Sequence, residues 1–367
     1  MSPSYKTFLL AICMVHSLSC CDKSNKETAS KPLRKTQYAK VISPENNSTF
    51  ALGDEIEFLI RPQQEGIEID SITAQRESKN IFSFESNHTG VWKTKNQTVG
   101  SHAIILTIYL NNQTIERRIV NLKLLAKSAP QSLTYQLINS YPHDPTSYTQ
   151  GLIMENGVLY ESTGQQNESS VNHIDIQSGQ QIKQFDLEPK YFGEGIAIKG
   201  DSLYMLTYRA QKGFIFDKNT LSPIDEFYYH NAEGWGLTTI NDDTLVMSDG
   251  SHKLFFKDPN GFTDLRIVEV YDNHGPIDFL NELEYVNGKI FANRYLTDKI
   301  YMINPTNGQV EGVLDLSGIL DLQNYHERID VLNGIAYNKL TKTYYITGKW
   351  WPKLFEIEIL NQEQVPI

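Results

Sequence analysis

Cysteine is nearly absent: the three present, Cys13, Cys20 and Cys21, all lie close to the N-terminus. The rest of the chain therefore has no disulfide, no thiol nucleophile and no thiolate metal site. Basic blocks are missing as well. A formal charge of −11 without a lysine- or arginine-rich run argues against nucleic acid as a partner. The nine histidines show no H-E-x-x-H or comparable spacing, which disfavours a zinc hydrolase. Beyond the leader no apolar run is long enough to span a bilayer.

The leader is informative. Lys6 precedes an apolar stretch from Thr7 to Val15, too short to cross a membrane, and small residues and the cysteine pair follow. The pattern predicts a bacterial lipoprotein signal peptide over 1–20, with Cys20 or Cys21 as first mature residue; a plain secretory signal is the alternative. Both imply export. The first further implies a lipid-anchored periplasmic, outer-membrane or cell-surface protein, attached by its lipid only. Residues 21–36, rich in Lys, Ser, Asn, Glu and Thr, read as a disordered tether.

A chain of 367 residues suggests two domains. Over 37–127, short alternating or β-branched runs such as "EIEFLI", "IFSFES" and "AIILTIYL" are separated by Gly53-Asp54 and Asn111-Asn112 turns. They predict a small immunoglobulin-like β-sandwich with no motif for chemistry. "KSAPQS" follows as a linker, and 128–367 carries an internal repeat. Segments starting at 151, 195, 236, 282 and 334 share one pattern: an aliphatic run, a turn, a second apolar run and a small polar cluster, four of the five opening on glycine. A second hairpin follows each of the first four. Four strands per unit of about 45 residues predict an all-β, five-bladed β-propeller. The fifth unit lacks its outer strand, which "TYQLINSY" (134–141) can supply, so the termini close the ring and leave no open edge.

The residues just before each repeat start are Gln150, Glu194, Trp235, Asn281 and Asn333, and the second strands end at Thr163, Tyr208, Asp249, Tyr295 and Lys349. Repeat geometry brings both sets to one mouth. A purely structural ring would hold similar residues, whereas this one mixes a carboxylate, carboxamides, an indole and an ammonium. That division favours a functional site over a filled lumen. In "KYFGEGIAI", Glu194 stands between two glycines with Phe192 close by. A solvated turn acid is the plainer reading, weakened by these aromatic neighbours. The match of "GEGIAIKG" to a dinucleotide fingerprint is accidental, because no helix follows.

The blocks "SYTQGLI", "ESTG…SSV", "YFGEGIAI", "EGWGLTT", "LNELEYVNGKIFAN", "DVLNGIA" and "TGKWWPKLFEI" resemble the glutamine cyclotransferase family of plants and bacteria. The resemblance spans 134–360 in order. It implies a glutaminyl-peptide cyclotransferase, an acyltransferase that turns the N-terminal glutamine of a peptide or protein into pyroglutamate and releases ammonia, without cofactor or metal. It further implies Glu194 as general acid/base and Asn281 as binder of the carboxamide or oxyanion. Lys349 is placed to donate to the oxyanion, with an ordinary surface lysine as the alternative. Gln150 and Asn333 join the substrate-binding set, with Phe192 and Trp235 as walls or, alternatively, plain core. Tyr208 and Tyr295 stand where the family usually carries tryptophan, each adding a hydroxyl to the pocket.

Two further readings stay open on the residues alone. Glu194, Asn281 and Asn333 offer oxygen ligands for calcium, as in propeller lactonases. A rim gripping a peptide or glycan without turnover would make the protein a surface binding module.

Overall fold

Alternation sets the first sheets. In the strand Gly100–Leu110, His102, Ile104, Leu106 and Ile108 point inward while Ser101, Ala103 and Ile105 point outward. This strand belongs to a five-stranded sheet with Ser48–Ala51, Ile69–Arg76, Lys79–Glu85 and Ile115–Leu125. A three-stranded sheet of Ala39–Ser43, Glu55–Pro62 and Thr89–Lys93 covers it. Ile56, Phe58, Ile60 and Trp92 from one layer and Ile72, Ile104 and Leu106 from the other make a single core. The computed structural model describes residues 37–85, 89–322 and 328–360. The leader, the tether and both candidate lipidation cysteines lie outside the described residues. Among those described, no helix is long and apolar enough to cross a membrane.

Beyond residue 148 the fold is all-β and propeller-like. Three four-stranded antiparallel sheets occupy 149–186, 193–228 and 237–269, each with its strands in chain order. The first two strands of a sheet are almost wholly buried, as in Thr149–Glu155 and Val158–Thr163. The last, as in Gln181–Asp186 and Pro223–Tyr228, is largely exposed. Inner strands covered on both faces explain the near-continuous apolar runs of the repeat. The first strands Thr149–Glu155, Gly193–Lys199, Leu237–Ile240, Leu280–Val286 and Leu332–Asn338 lie against one another in succession, the last returning to the first.

Glycine at a repeat start lets neighbours touch. A Cβ on Gly195 would sit 2.5 Å from Leu237 N, and one on Gly236 2.0 Å from Asn281 O. The fourth repeat breaks the rule with Glu282. Its carboxylate fills the gap instead, accepting hydrogen bonds from Ile335 N (2.9 Å) and Leu152 N (3.4 Å).

The remaining strands form one eight-stranded sheet, in which Gln131–Pro142 lies between Val310–Asp315 and Lys353–Leu360. It pairs antiparallel with Lys353–Leu360 from Lys353↔Pro142 to Leu360↔Thr134, and parallel with Val310–Asp315 through Leu314↔Leu133. The 134–141 segment therefore has the partner its sequence lacked nearby, and the strand begins three residues earlier, inside the expected linker. The two-layer unit is tied on as well. Tyr271 is 3% exposed within its core, and Ala126 N donates to Asp272 O (3.1 Å) and Val99 N to Asn307 O (2.9 Å).

Just after the closing strand sits a buried ion pair. His143 Nε2 lies 2.9 Å from Glu161 Oε1, both side chains being essentially inaccessible, and His143 Nδ1 lies 2.6 Å from Trp351 O. Thr149 and Ser147 hydroxyls donate to the same carboxylate at 2.6 and 3.2 Å. Burial, the largest single influence, would lower the imidazole pKa; the Glu161 carboxylate, helped by the Trp351 carbonyl and Asp144, outweighs it and the net shift is upward. The stabilisation from that shift is fully present below the ordinary histidine value and fades as pH rises through the raised one. Removing one member leaves a buried charge without its partner. His143→Ala should therefore lower unfolding stability by about 3 kcal/mol at mildly acidic pH in urea titration. A loss below ~1 kcal/mol would show that the pair does not secure the closure.

Candidate active site

One small feature of sheet geometry builds the site. In the first sheet, register slips between Thr149 and Gly151. The same irregularity occurs between Gly193 and Ile196, between Leu280 and Leu283, and between Leu332 and Ile335. These bulges contain Gln150, Glu194, Asn281 and Asn333. A bulge turns a side chain out of the alternating pattern and bends the strand. The bulged backbone is then fastened by the neighbouring strand: Ser162 Oγ donates to Glu194 O (2.7 Å) and Ser248 Oγ to Asn281 O (2.6 Å). Gly195 N donates to Trp235 O at 2.7 Å, locking the Glu194 turn against the next sheet.

The outcome is a cavity of about 240 Å³ lined by Tyr148, Gln150, Gln165, Phe192, Glu194, Tyr208, Trp235, Asn281, Tyr295 and Lys349. Four polar members, Gln150, Glu194, Asn281 and Lys349, are 2–4% exposed, so they form its floor. The aromatic members are half-buried and fence the mouth. Phe192 meets Tyr148 edge-on at 6.1 Å and Tyr208 at 5.7 Å, while Trp235 meets Tyr295 edge-on at 5.6 Å. Lys349 Nζ stands between two of these rings, 4.7 Å from Tyr148 and 5.1 Å from Tyr295.

Electrostatics follow from enclosure. Burial pushes the Glu194 carboxyl well above the ordinary carboxylate range; the Lys349 ammonium pulls it partly back and Glu233 adds to the rise. Burial lowers Lys349 in turn, with Glu194 and Asp330 opposing. Burial thus works against the charged form of each group. Asn281 lines the cavity, and its Oδ1 is buried without a hydrogen-bond partner.

Eight of the nine side chains singled out from the sequence share this cavity. Asn333, expected to bind substrate, does not line it. Its Nδ2 donates to Thr149 O (3.0 Å) and Gln150 Oε1 (3.3 Å), so it backs Gln150 from behind. The three oxygen donors of the calcium reading therefore do not meet in one cavity. Among the described residues no group of three or more His, Cys, Asp or Glu is placed to hold a metal ion. Of the second-strand ends, Thr163 faces a neighbouring cleft and Asp249 accepts from Asn231 and Ser251.

Three contributors escaped the sequence reading. Tyr148 and Gln165 line the cavity from outside the repeat frame. Glu233 holds the walls from outside the cavity, accepting from Trp235 Nε1 (3.0 Å) and from Arg209 (2.6 Å). Burial, and after it the nearby Glu233, raise the Tyr208 phenol above its ordinary value. The "EGW" and "SYTQ" blocks held Glu233 and Tyr148 as residues adjoining a frame position, and Gln165 had no such signal.

The family description "Glutamine cyclotransferase" matches residues 105–359, more than half of the chain. The chain belongs to the glutamine cyclotransferase family. A glutaminyl-peptide cyclotransferase of Arabidopsis thaliana is 37% identical over 229 residues, 61% of this chain and 71% of that protein. The crystal structure of Myxococcus xanthus glutaminyl cyclase matches with a TM-score of 0.59 and 33% identity, over 63% of this chain and 98% of that one. Both relatives carry the names of enzymes. Within this cyclotransferase-family chain, Glu194, Asn281 and Lys349 meet in that one enclosed cavity.

Proposed function

We propose that the protein is a glutaminyl-peptide cyclotransferase that closes the N-terminal glutamine of peptides or proteins to pyroglutamate and releases ammonia. One observation carries the reading: in a chain of this family, Glu194 is a buried carboxyl in the same small cavity as Lys349 and Asn281, and burial raises its pKa well above the ordinary carboxylate range. The substrate's α-amine attacks its own side-chain carboxamide carbon, a C–N bond forms, and the bond to the departing NH₂ breaks. The amine gives up a proton and the leaving nitrogen gains one. A single carboxyl between them can carry it, and a raised pKa suits that shuttle near neutral pH. We assign this role to Glu194. Lys349 and the Asn281 amide stabilise the tetrahedral oxygen, and Asn281 Oδ1 accepts from the carboxamide N–H. Gln150 positions the substrate, and the aromatic fence holds the glutamine curled while excluding water, which favours an intramolecular closure.

In this reading the chemistry uses protein groups alone. The frame is a five-bladed propeller over 128–367, the eight-stranded sheet counting as two blades bridged by Gln131–Pro142, and 37–127 is an immunoglobulin-like domain. The leader supports export and a lipid anchor at Cys20 or Cys21.

Glu194→Gln should lower kcat on a Gln-initiated peptide by about 100-fold or more, measured as ammonia release, with an unchanged circular dichroism spectrum. A Glu-initiated peptide should release none, and EDTA should leave the wild-type rate intact. Full activity in Glu194→Gln, or loss in EDTA restored by calcium, would contradict the assignment.

The pH profile gives an independent check. The competent state holds one proton between Glu194 and the substrate amine, so kcat/KM falls when a second proton binds. That acid limb follows the lower of the two pKa values, the amine lying at about 7.7–8.0. Because Glu194 is raised well above 4.5, the limb should lie well above pH 4.5. Activity held flat down to that pH would refute the neutral-acid state.

A further inference from the structure

A second cavity of about 600 Å³ adjoins the catalytic one. The two share walls. The segment 163–170 turns Gln165 into the catalytic cavity and Thr163, Glu168 and Ser170 into the second. Trp350 lines the second cavity with its ring 4.5 Å from that of Tyr148, which lines the first. Trp350 has φ +57°, an uncommon conformation for a bulky residue, and is held there by its N–H donating to Ser147 O (2.7 Å). Arg328 covers the indole at 3.8 Å.

From Trp350 the cleft runs outward across the first sheet. Thr163 ends its second strand, Ser170 begins its third, and Gln184 lies on its outer strand. Two strand spacings are about 10 Å, the length of about three extended residues. Gln181, Gln184 and the carboxylates of Asp144 and Glu168 offer acceptors for peptide N–H groups, and the glutamines offer donors for carbonyls. The catalytic cavity, at about 240 Å³, is a pit suited to one glutaminyl residue, so the rest of a bound peptide must leave over its rim.

We propose that this cleft binds residues two to four of the substrate peptide, which makes extended peptides better substrates than glutaminyl dipeptides. The proposal rests on the cyclotransferase reading. Binding made away from the reacting atoms there contributes to kcat/KM. The test measures ammonia release by the full chain from a glutaminyl dipeptide amide and from a Gln-initiated pentapeptide of neutral sequence. The wild type should favour the pentapeptide by about tenfold in kcat/KM. Trp350→Ala and Gln184→Ala should each reduce that ratio several-fold. Because the ratio compares two substrates on one protein, a partly unfolded variant does not move it. A wild-type ratio near one, or a ratio retained in both variants, would overturn the proposal. Absence of ammonia from both peptides would instead overturn the cyclotransferase reading on which it stands.

Discussion

Ring closure through one strand is the constraint on which everything else depends. Gln131–Pro142 joins Lys353–Leu360 on one side and Val310–Asp315 on the other. Gln150 follows that strand, while Lys349 precedes its partner by four residues. Without the pairing, the two would belong to opposite ends of an open array, and the cavity would have neither floor nor wall on that side. The His143–Glu161 pair and the bond from His143 to Trp351 O lie at this seam. The seam thus serves stability and site assembly together.

Closure then determines the chemistry. Successive first strands approach closely where glycine permits it, and bulges in four of the five hold Gln150, Glu194, Asn281 and Asn333 at one level. A carboxyl in such a place loses its water, and the cost falls on its charged form. Glu282 and Glu284 feel the same enclosure farther along the axis. Glu282 is raised well above the ordinary range, and Glu284, half-buried, is raised to about 8, with burial the main cause in each. What separates Glu194 from them is company: it lines a cavity together with Lys349 and Asn281, whereas Glu282 and Glu284 accept hydrogen bonds from backbone N–H groups. Burial alone makes a neutral acid; a shared cavity makes one that can work on a substrate.

Much of this was legible in the sequence because repetition converts linear spacing into angular position. A frame marked by glycine and aliphatic runs placed Gln150, Glu194, Trp235 and Asn281 at one level, and "TYQLINSY" stood out as a strand without a local partner. The frame cannot specify which way a carboxamide turns. Asn333 occupies the same bulge position as Asn281, yet it donates to Gln150 and stays behind the lining. Tyr148 and Gln165 fall outside the frame, and Glu233 holds Trp235 within its own loop while accepting from Arg209, a contact that arises only once two loops meet. The insertion of Tyr271 into the core of the two-layer unit is likewise invisible to periodicity, since it joins residues far apart in the chain.

The central claim is that closure keeps one carboxyl protonated at the floor of the cavity. Carboxyl ¹³C chemical shifts of glutamate-labelled protein, assigned through Glu194→Gln and followed across a pH titration, read that state directly. The account predicts that the Glu194 signal stays in its protonated position after exposed glutamates have ionised, because its pKa lies well above 4.5. A Glu194 signal that titrates together with the exposed glutamates would contradict it.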